Sequence, residues 1–280
     1  MQRYNTASVA GIFAGALLLI SNATTAAAAA PRAFTWPGGA KAAINLSYDD
    51  AIDSQLDHAL PALNKYGLKG TFNLVLSSQP LARRMDEWRR AAEQGHELAN
   101  HTLFHQCSRS APGHEWVTTD NDLDHTSATQ LAAQIRLANV MLHAIDGRNE
   151  RTFALPCGDP LATGTPYVPL ITAEFVAIKS TFGAVPPDMW TLDPYAVGVA
   201  TPTDVTGAQL IAIAREAAER GTMANFTFHG VGGDYLSVSS EAHEQLLQYL
   251  AANKNTYWTA TFIDIMKYVK AQQASAAASH

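Results

Sequence analysis

Short apolar segments that favour β-strands alternate with amphipathic segments along most of the chain, at intervals of about 25 to 30 residues. Residues 42–48 (AAINLSY) are followed by Leu56 and Leu60, whose spacing fits one face of a helix, and residues 70–76 (GTFNLVL) form the next apolar segment. This alternation predicts parallel strands joined by right-handed helical crossovers. A parallel barrel takes about 200 to 250 residues, and no linker-like segment divides residues 32–270. We therefore expect an α/β fold with a single (β/α) barrel.

The same patterns predict the remaining elements. Further strands are expected at residues 96–99, 152–155, 222–228 and 257–260. Helices are expected at residues 53–66, 81–94, 127–145, 207–220, 240–252 and 262–270. The proline-rich stretch, residues 160–187, receives no element. We expect the barrel domain to span residues 31–271 and the small, polar tail, residues 272–280, to fray.

The N-terminus has the layout of a secretory signal peptide. Arg3 precedes an apolar run at residues 9–20, and small residues at 21–30 offer cleavage sites. The apolar run is shorter than the roughly 20 residues that a membrane-spanning helix needs. We therefore expect residues 1–30 to be removed, leaving an exported protein, periplasmic or extracellular, with no stable membrane insertion. The alternative is a buried N-terminal helix.

The charge balance constrains the partner. The chain has 19 Lys and Arg against 25 Asp and Glu, a formal net charge of -6, and contains no basic run. Nucleic acids and anionic lipids are bound through clusters of basic residues. We therefore exclude a nucleic-acid partner and expect a neutral or weakly charged one.

Carboxylates and imidazoles follow three of the predicted strands. Asp49 and Asp50 end the first, His101 and His105 follow the third with the spacing of one helical turn, and His229 ends the strand at 222–228. In a parallel barrel these strand ends converge on one face. One Asp and two His form a common ligand set for a zinc-like ion, which leaves the second Asp and the third His as base and acid for metal-assisted hydrolysis. The spacing does not tell which Asp is the ligand, and each motif alone also fits a turn, a helix cap or a structural histidine.

The order of four motifs resembles one family. Residues 47–50 (SYDD), 101–105 (HTLFH), 155–158 (LPCG) and 226–229 (FTFH) are similar to the motifs of polysaccharide deacetylases with the NodB-type domain, carbohydrate esterase family four (CE4). The similarity extends over about residues 40–270. It implies an irregular (β/α) barrel that removes acetyl groups from polymeric sugars with one divalent metal ion, zinc or alternatively cobalt or another divalent ion.

The resemblance also implies roles for individual residues. Asp50, His101 and His105 correspond to the metal ligands, Asp49 to the base and His229 to the acid that protonates the leaving group. It does not indicate whether the acetyl group is on nitrogen, as in chitin or peptidoglycan, or on oxygen, as in acetylated xylan.

Two motifs depart from the family pattern. Ala154 occupies the position of an arginine that orients the base in the family, and Arg151 lies three residues too early to replace it. The fourth motif is only loosely present around Asp188 or Asp193. Members of the family that lack the arginine keep the other motifs, so we expect a slower rate rather than a different reaction. The alternatives are an inactive or weakly active sugar-binding protein on the same barrel and a hydrolase of another bond, such as a phosphoester.

Several residues beside these motifs are candidates for substrate binding or structural support. If the HTLFH and LPCG motifs surround one metal ion, Cys107 and Cys157 lie near enough to form a disulfide. The alternative is two free thiols. The turn around Cys157 offers a backbone N–H to an oxyanion. Tyr235 follows a glycine-rich turn that lacks a phosphate-loop spacing, and with Trp116 and Trp190 it is a candidate for stacking on a sugar.

Overall fold

The computed structural model describes residues 33–278. The predicted signal peptide, residues 1–30, lies outside the described residues and stays a prediction. The strands are β1 (Ala42–Asp49), β2 (Thr71–Leu74), β3 (Glu97–Asn100), β4 (Phe153–Ala154), β5 (Leu161–Ala162), β6 (Thr165–Pro166), β7 (Ile178–Phe182), β8 (Val197–Val199), β9 (Met223–Phe228) and β10 (Tyr257–Ala260). The α-helices are α1 (Leu60–Lys65), α2 (Gln79–Arg83), α3 (Met85–Glu93), α4 (Ala128–Asp146), α5 (Gly207–Arg220), α6 (Ser240–Ala252) and α7 (Phe262–Ala277).

Seven parallel strands form a nearly closed barrel in the order β9-β1-β2-β3-β4-β7-β8. The ends of the sheet meet because Ala200, just after β8, forms a bridge to Phe226 of β9. The barrel is irregular: β10 pairs with the first half of β1 and β2 with the second half, so both share one edge of β1. The predicted α/β fold with a single irregular (β/α) barrel is confirmed.

Strand β1 separates the apolar core from the polar interior of the barrel. All eight of its residues are buried. Ile44 and Tyr48 belong to the apolar cluster that joins the sheet to the surrounding helices, whereas Asn45 and Ser47 form hydrogen bonds with polar side chains of other strands. Side chains alternate along a strand, so Asp49 continues the polar series and lies at the carboxyl end of the barrel.

The predicted helix at residues 81–94 is two helices, α2 and α3. They are separated at Arg84, whose φ of -122° and ψ of 29° are not helical. The guanidinium of Arg84 forms ion pairs with Asp53, Asp57 and Glu87, which hold the chain in this bend. The single amphipathic pattern at residues 81–94 therefore corresponds to two short helices rather than one.

Helix α7 is longer than expected. It continues through Ala277, so residues 272–277 of the tail that was expected to fray are helical in the structure. Alanine and glutamine favour the helical backbone, and the Gln273 side-chain amide donates hydrogen bonds to the carbonyl oxygens of Met189 and Leu192. None of the helices in residues 33–278 has the length and apolarity required to cross a bilayer.

The proline-rich stretch contains strands that the sequence patterns did not predict. The hairpin of β5 and β6 and the whole of β7 fall within residues 160–187. Strand β7 completes the barrel between β4 and β8, and it carries Lys179 into the interior.

Candidate metal and catalytic site

The carboxyl ends of β1, β3 and β9 bring together the five side chains that the sequence analysis selected. The Nε2 atoms of His101 and His105 lie 3.3 Å and 3.2 Å from Asp50 Oδ1. The Nε2 atom of His229 lies 3.9 Å from Asp50 Oδ2, and Asp49 Oδ2 lies 3.7 Å from His101 Nε2. The expected convergence of these residues on one face of the barrel is therefore present.

Both histidines leave β3 through an irregular turn, not through the helical turn that their spacing predicted. Thr102 and His105 have positive φ values of 68° and 50°, which a helix excludes. Side chains replace the helical hydrogen bonds: Asn100 Oδ1 accepts from the N–H of Thr102, and Thr102 Oγ1 accepts from the N–H of His105. The prediction of a helical turn at 101–105 is wrong, although the imidazoles still face the same point.

Backbone strain is concentrated around this point. Besides Thr102 and His105, the non-glycine residues Asp50, Ala51 and Cys157 have left-handed φ values of 83°, 58° and 57°. Such conformations cost about 1 to 3 kcal/mol each and persist only where the surrounding structure imposes them, often at functional sites. The chain therefore spends stability to direct these side chains into one cleft.

The orientation of His101 is fixed by the strand beside it. Its Nδ1–H donates to the Ala154 carbonyl oxygen at 2.7 Å, which leaves the lone pair of Nε2 directed at Asp50. A backbone carbonyl commonly holds a metal-binding histidine in this tautomer. The barrel thus presents His101 as a ligand rather than as a donor.

The arrangement fits a divalent cation. Ligand atoms of Asp50, His101 and His105 lie within 4.8 Å of one another. Asp50 Oδ1 is buried and accepts no well-aligned hydrogen bond, although two imidazole nitrogens face it. A carboxylate oxygen and imidazole lone pairs that converge on one point repel each other unless a cation lies between them, and one carboxylate with two imidazoles is a zinc-type donor set.

Electrostatics keep Asp50 ionised. Burial alone would raise the pKa of its carboxyl group, but the adjacent imidazoles of His101 and His105 lower this pKa well below the usual range. The carboxylates of Asp49 and Asp50 in turn raise the pKa of His101 against the opposing effect of its own burial. The site is therefore built for an anionic carboxylate beside positive charge.

Asp49 lies beside the three candidate metal ligands, Asp50, His101 and His105, but is not one of them. Its Oδ1 accepts a hydrogen bond from the side-chain amide of Asn73 on β2, and its backbone carbonyl accepts one from Gln55. Both oxygen atoms of a free carboxylate accept protons, and Asn73 occupies only one of them. Asp49 can therefore receive a proton from a group in the cleft.

Tyr235 contacts the ligand set directly. Its hydroxyl donates to Asp50 Oδ2 at 2.8 Å, and its ring lies 6.3 Å from that of His229. The glycine-rich turn makes this approach feasible: a Cβ at Gly230 would lie 2.1 Å from the Gly233 carbonyl oxygen. Because its hydroxyl orients Asp50, Tyr235 can offer only its half-exposed ring to a substrate.

A disulfide joins two loops of the site. The sulfur atoms of Cys107 and Cys157 are bonded, with 6.0 Å between the Cα atoms. The bond connects the segment after His105 to the turn after β4, and neither sulfur is then a thiolate ligand. Within that turn the N–H of Gly158 donates to Leu155 and Pro156 has no N–H, which leaves Cys157 as the candidate oxyanion donor.

A cleft of about 880 Å³ opens above these residues. Large apolar side chains line it, and several are exposed at its rim: Trp116 (58% exposed), Phe182 (74%), Tyr235 (53%) and Leu236 (52%). Trp116, a candidate for stacking on a sugar, has its ring 6.1 Å from that of His105, so it lies beside the candidate metal ligands.

Trp190 does not belong to the cleft. Its ring packs on Phe34 with 4.8 Å between centroids, and it is absent from the residues that line the cleft. The loop after β7 turns it toward the aromatic residues near the start of the barrel domain. We therefore correct its assignment as a substrate-binding residue.

Two residues of the site escaped the sequence analysis. Asn73 is the one amide side chain in the mostly apolar segment 70–76, and this interruption was the signal that could have drawn attention to it. Lys179 lies on β7, in the stretch to which no strand was assigned. Both face the interior of the barrel and contact the polar series of β1.

Comparison with known proteins supports the resemblance to polysaccharide deacetylases that the sequence motifs indicated. Residues 37–167 match the family model described as polysaccharide deacetylase. No curated protein sequence matches the chain.

Solved structures share the fold at low sequence identity. A Mycobacterium smegmatis protein assigned as a polysaccharide deacetylase is 15% identical (TM-score 0.62; 86% of this chain and 94% of that chain). The peptidoglycan deacetylase PdaC from Bacillus subtilis is 17% identical (TM-score 0.53; 83% and 93%). A CE4 family pseudoenzyme from Bacillus anthracis is 16% identical (TM-score 0.50; 82% and 66%). Since both an enzyme and a pseudoenzyme share the fold, activity has to be argued from the site.

Proposed function

Because the chain belongs to the polysaccharide deacetylase family, we propose that it is a divalent-metal-dependent hydrolase that removes acetyl groups from a carbohydrate. One observation carries the proposal: the buried Asp50 Oδ1 faces two imidazole nitrogens without a well-aligned hydrogen bond. Asp49 and His229 flank this point at 3.7 Å from His101 and 3.9 Å from Asp50. The side chains proposed as ligands, base and acid all line one cleft.

Asp50, His101 and His105 would hold the ion, and their donor set suits zinc, with cobalt as an alternative. When bound, such an ion supplies Lewis acidity that polarises a carbonyl group and makes a water molecule more acidic.

The remaining residues move protons and bind charge. Asp49, oriented by Asn73, accepts the proton of the attacking water at its free oxygen atom. The N–H of Cys157 donates to the acetyl oxygen as negative charge develops there. His229 donates a proton to the departing amine or alkoxide, which lets the sugar leave as a neutral group.

The cleft favours a neutral substrate over a phosphoester. Its rim is aromatic and aliphatic, and the lining contains one basic ammonium or guanidinium side chain, the buried Lys179. A phosphoryl group needs cationic donors exposed to the substrate, whereas the apolar face of a pyranose packs on rings such as those of Trp116 and Tyr235. We propose an exported protein, periplasmic or extracellular, in which the bonded cysteines suit an oxidising compartment.

Acetate release from purified protein tests this function. Chitooligosaccharides, peptidoglycan fragments and acetylxylan distinguish N-acetyl from O-acetyl substrates, and nitrophenyl phosphate tests the phosphoester alternative. We expect acetate release that stops on chelation and returns with zinc or cobalt. Sugar binding without acetate release from any substrate, with the metal restored, would instead support the inactive sugar-binding alternative that Ala154 raises.

A further inference from the structure

Lys179 is buried in the interior of the barrel. It is 3% exposed, and no other lysine in residues 33–278 is buried. Its ammonium donates hydrogen bonds to Asn45 Oδ1 at 3.0 Å and to Ser47 Oγ. These residues and Asp49 are alternate residues of β1, so all three project to the same side of the strand. The ammonium therefore lies behind Asp49, within the wall that lines the cleft.

A buried ammonium requires a compensating charge. The carboxylates that act on it are Asp49 from β1 and Glu97 from β3. Glu97 is already satisfied, because it accepts hydrogen bonds from the hydroxyls of Thr71 and Thr152 and from a backbone N–H of α7. Asp49 accepts a side-chain hydrogen bond from Asn73 alone. Of the two carboxylates, Asp49 has fewer side-chain hydrogen bonds and exerts the larger electrostatic effect on the ammonium.

The ammonium keeps its proton near neutral pH. Burial lowers the pKa of Lys179 to about 8, against the opposing attraction of Asp49 and Glu97. The Phe262 ring, 4.6 Å from Nζ, adds a favourable cation–π contact.

The neighbouring strand leaves the cation room. Ala154 of β4 is paired in register with Lys179, and its side chain is only a methyl group. Lys179 thus supplies from β7 a positive charge that position 154 does not provide.

We propose that Lys179 is a positioning residue for Asp49: held by Asn45 and Ser47, its ammonium compensates and orients the Asp49 carboxylate from inside the barrel. Its effect on turnover rests on the proposed function. The proposed interaction between the two side chains does not, because it requires neither a metal ion nor a substrate.

A double-mutant cycle tests the interaction without any activity. Urea midpoints are measured for the chelator-treated wild type, K179M, D49N and K179M/D49N, with K267M as a surface-lysine control. We expect the downward midpoint shift caused by Lys179→Met to be at most half as large in the Asp49→Asn background. Equal shifts in both backgrounds would overturn the proposal, as would a coupling found with E97Q and not with D49N. If K179M does not fold, K179Q takes its place in the cycle.

Steady-state kinetics test the consequence. We expect K179M to lower kcat about 10- to 100-fold, the usual cost of losing a residue that supports a catalytic group, with KM and metal stoichiometry unchanged. K179R, and A154R combined with K179M, should each recover part of this loss because they restore the positive charge. An unchanged kcat in K179M, or no recovery in either variant, would overturn the proposal. A wild type that releases no acetate would refute the proposed function and leave the cycle to decide the role of Lys179.

Discussion

Removing the disulfide between Cys107 and Cys157 should strongly destabilise the protein. The two residues are separated by 50 positions. In the chain-entropy model, a cross-link that closes a loop of n residues contributes about 3 kcal/mol for 15 residues and about 4.7 kcal/mol for 100. For a loop of about 50 residues the same relation gives about 4 kcal/mol. This is a large part of the roughly 5 to 15 kcal/mol that holds a typical domain folded.

The assay is urea unfolding of the oxidised wild type and of the C107A/C157A variant, both treated with chelator. We expect the free energy of unfolding of the variant to be lower by about 4 kcal/mol. Reductant should destabilise the wild type by a similar amount and leave the variant unchanged, which separates the loss of the bond from the effect of the alanines. A difference below about 1 kcal/mol, too small for closure of a loop of this length, would refute the reasoning.

Three further predictions concern the site and one buried histidine, His243. Asp49→Asn should retain the metal ion but lower turnover about 10²- to 10⁴-fold, because it removes the proton acceptor, whereas His101→Ala should lose both metal and turnover. Calorimetric zinc titration and acetate release measure the two effects. Full activity of D49N would exclude Asp49 as the base. Tyr235→Phe removes the hydroxyl that donates to Asp50 and should weaken zinc binding about 10- to 100-fold in a competition titration, so an unchanged Kd would contradict this role. Burial lowers the pKa of His243 to about 4, so the unfolded chain binds the proton first as the pH falls. The contribution of this residue to the free energy of unfolding should therefore be complete above about pH 6.5 and decrease by about 3 kcal/mol as the pH falls to 4. Urea unfolding from pH 7.5 to 4 checks this, and H243Q should show a shallower decline; an equal decline in both proteins would argue against it.

The barrel and the grouping of the candidate site residues could be predicted because both follow from simple periodicity. Strands such as β1 and β9 are short, continuously buried segments rich in apolar residues, and the candidate site residues follow directly where each strand ends. The topology then requires their convergence, so Asp49, Asp50, His101, His105 and His229 could be grouped without knowledge of their distances.

What could not be predicted depends on long-range contacts. Strand β7 lies in a stretch interrupted by prolines and has no clear period, so the burial of Lys179 was not evident from the sequence. Trp190 lies in a loop, as a substrate-binding residue often does, but its contact with Phe34 comes from a distant segment. The turn at His101 and His105 resembled a helix in its spacing, although hydrogen bonds from Asn100 and Thr102 side chains determine its shape.

Titration of the chelator-treated protein with Co²⁺, with acetate release from an acetylated oligosaccharide measured after each addition, tests the central claim most directly. We predict no release at the start, a linear increase with added ion, and a plateau at one equivalent per chain. Release that is already complete before any ion is added, or that stays absent at saturating Co²⁺ and Zn²⁺ on every acetylated substrate, would contradict the account.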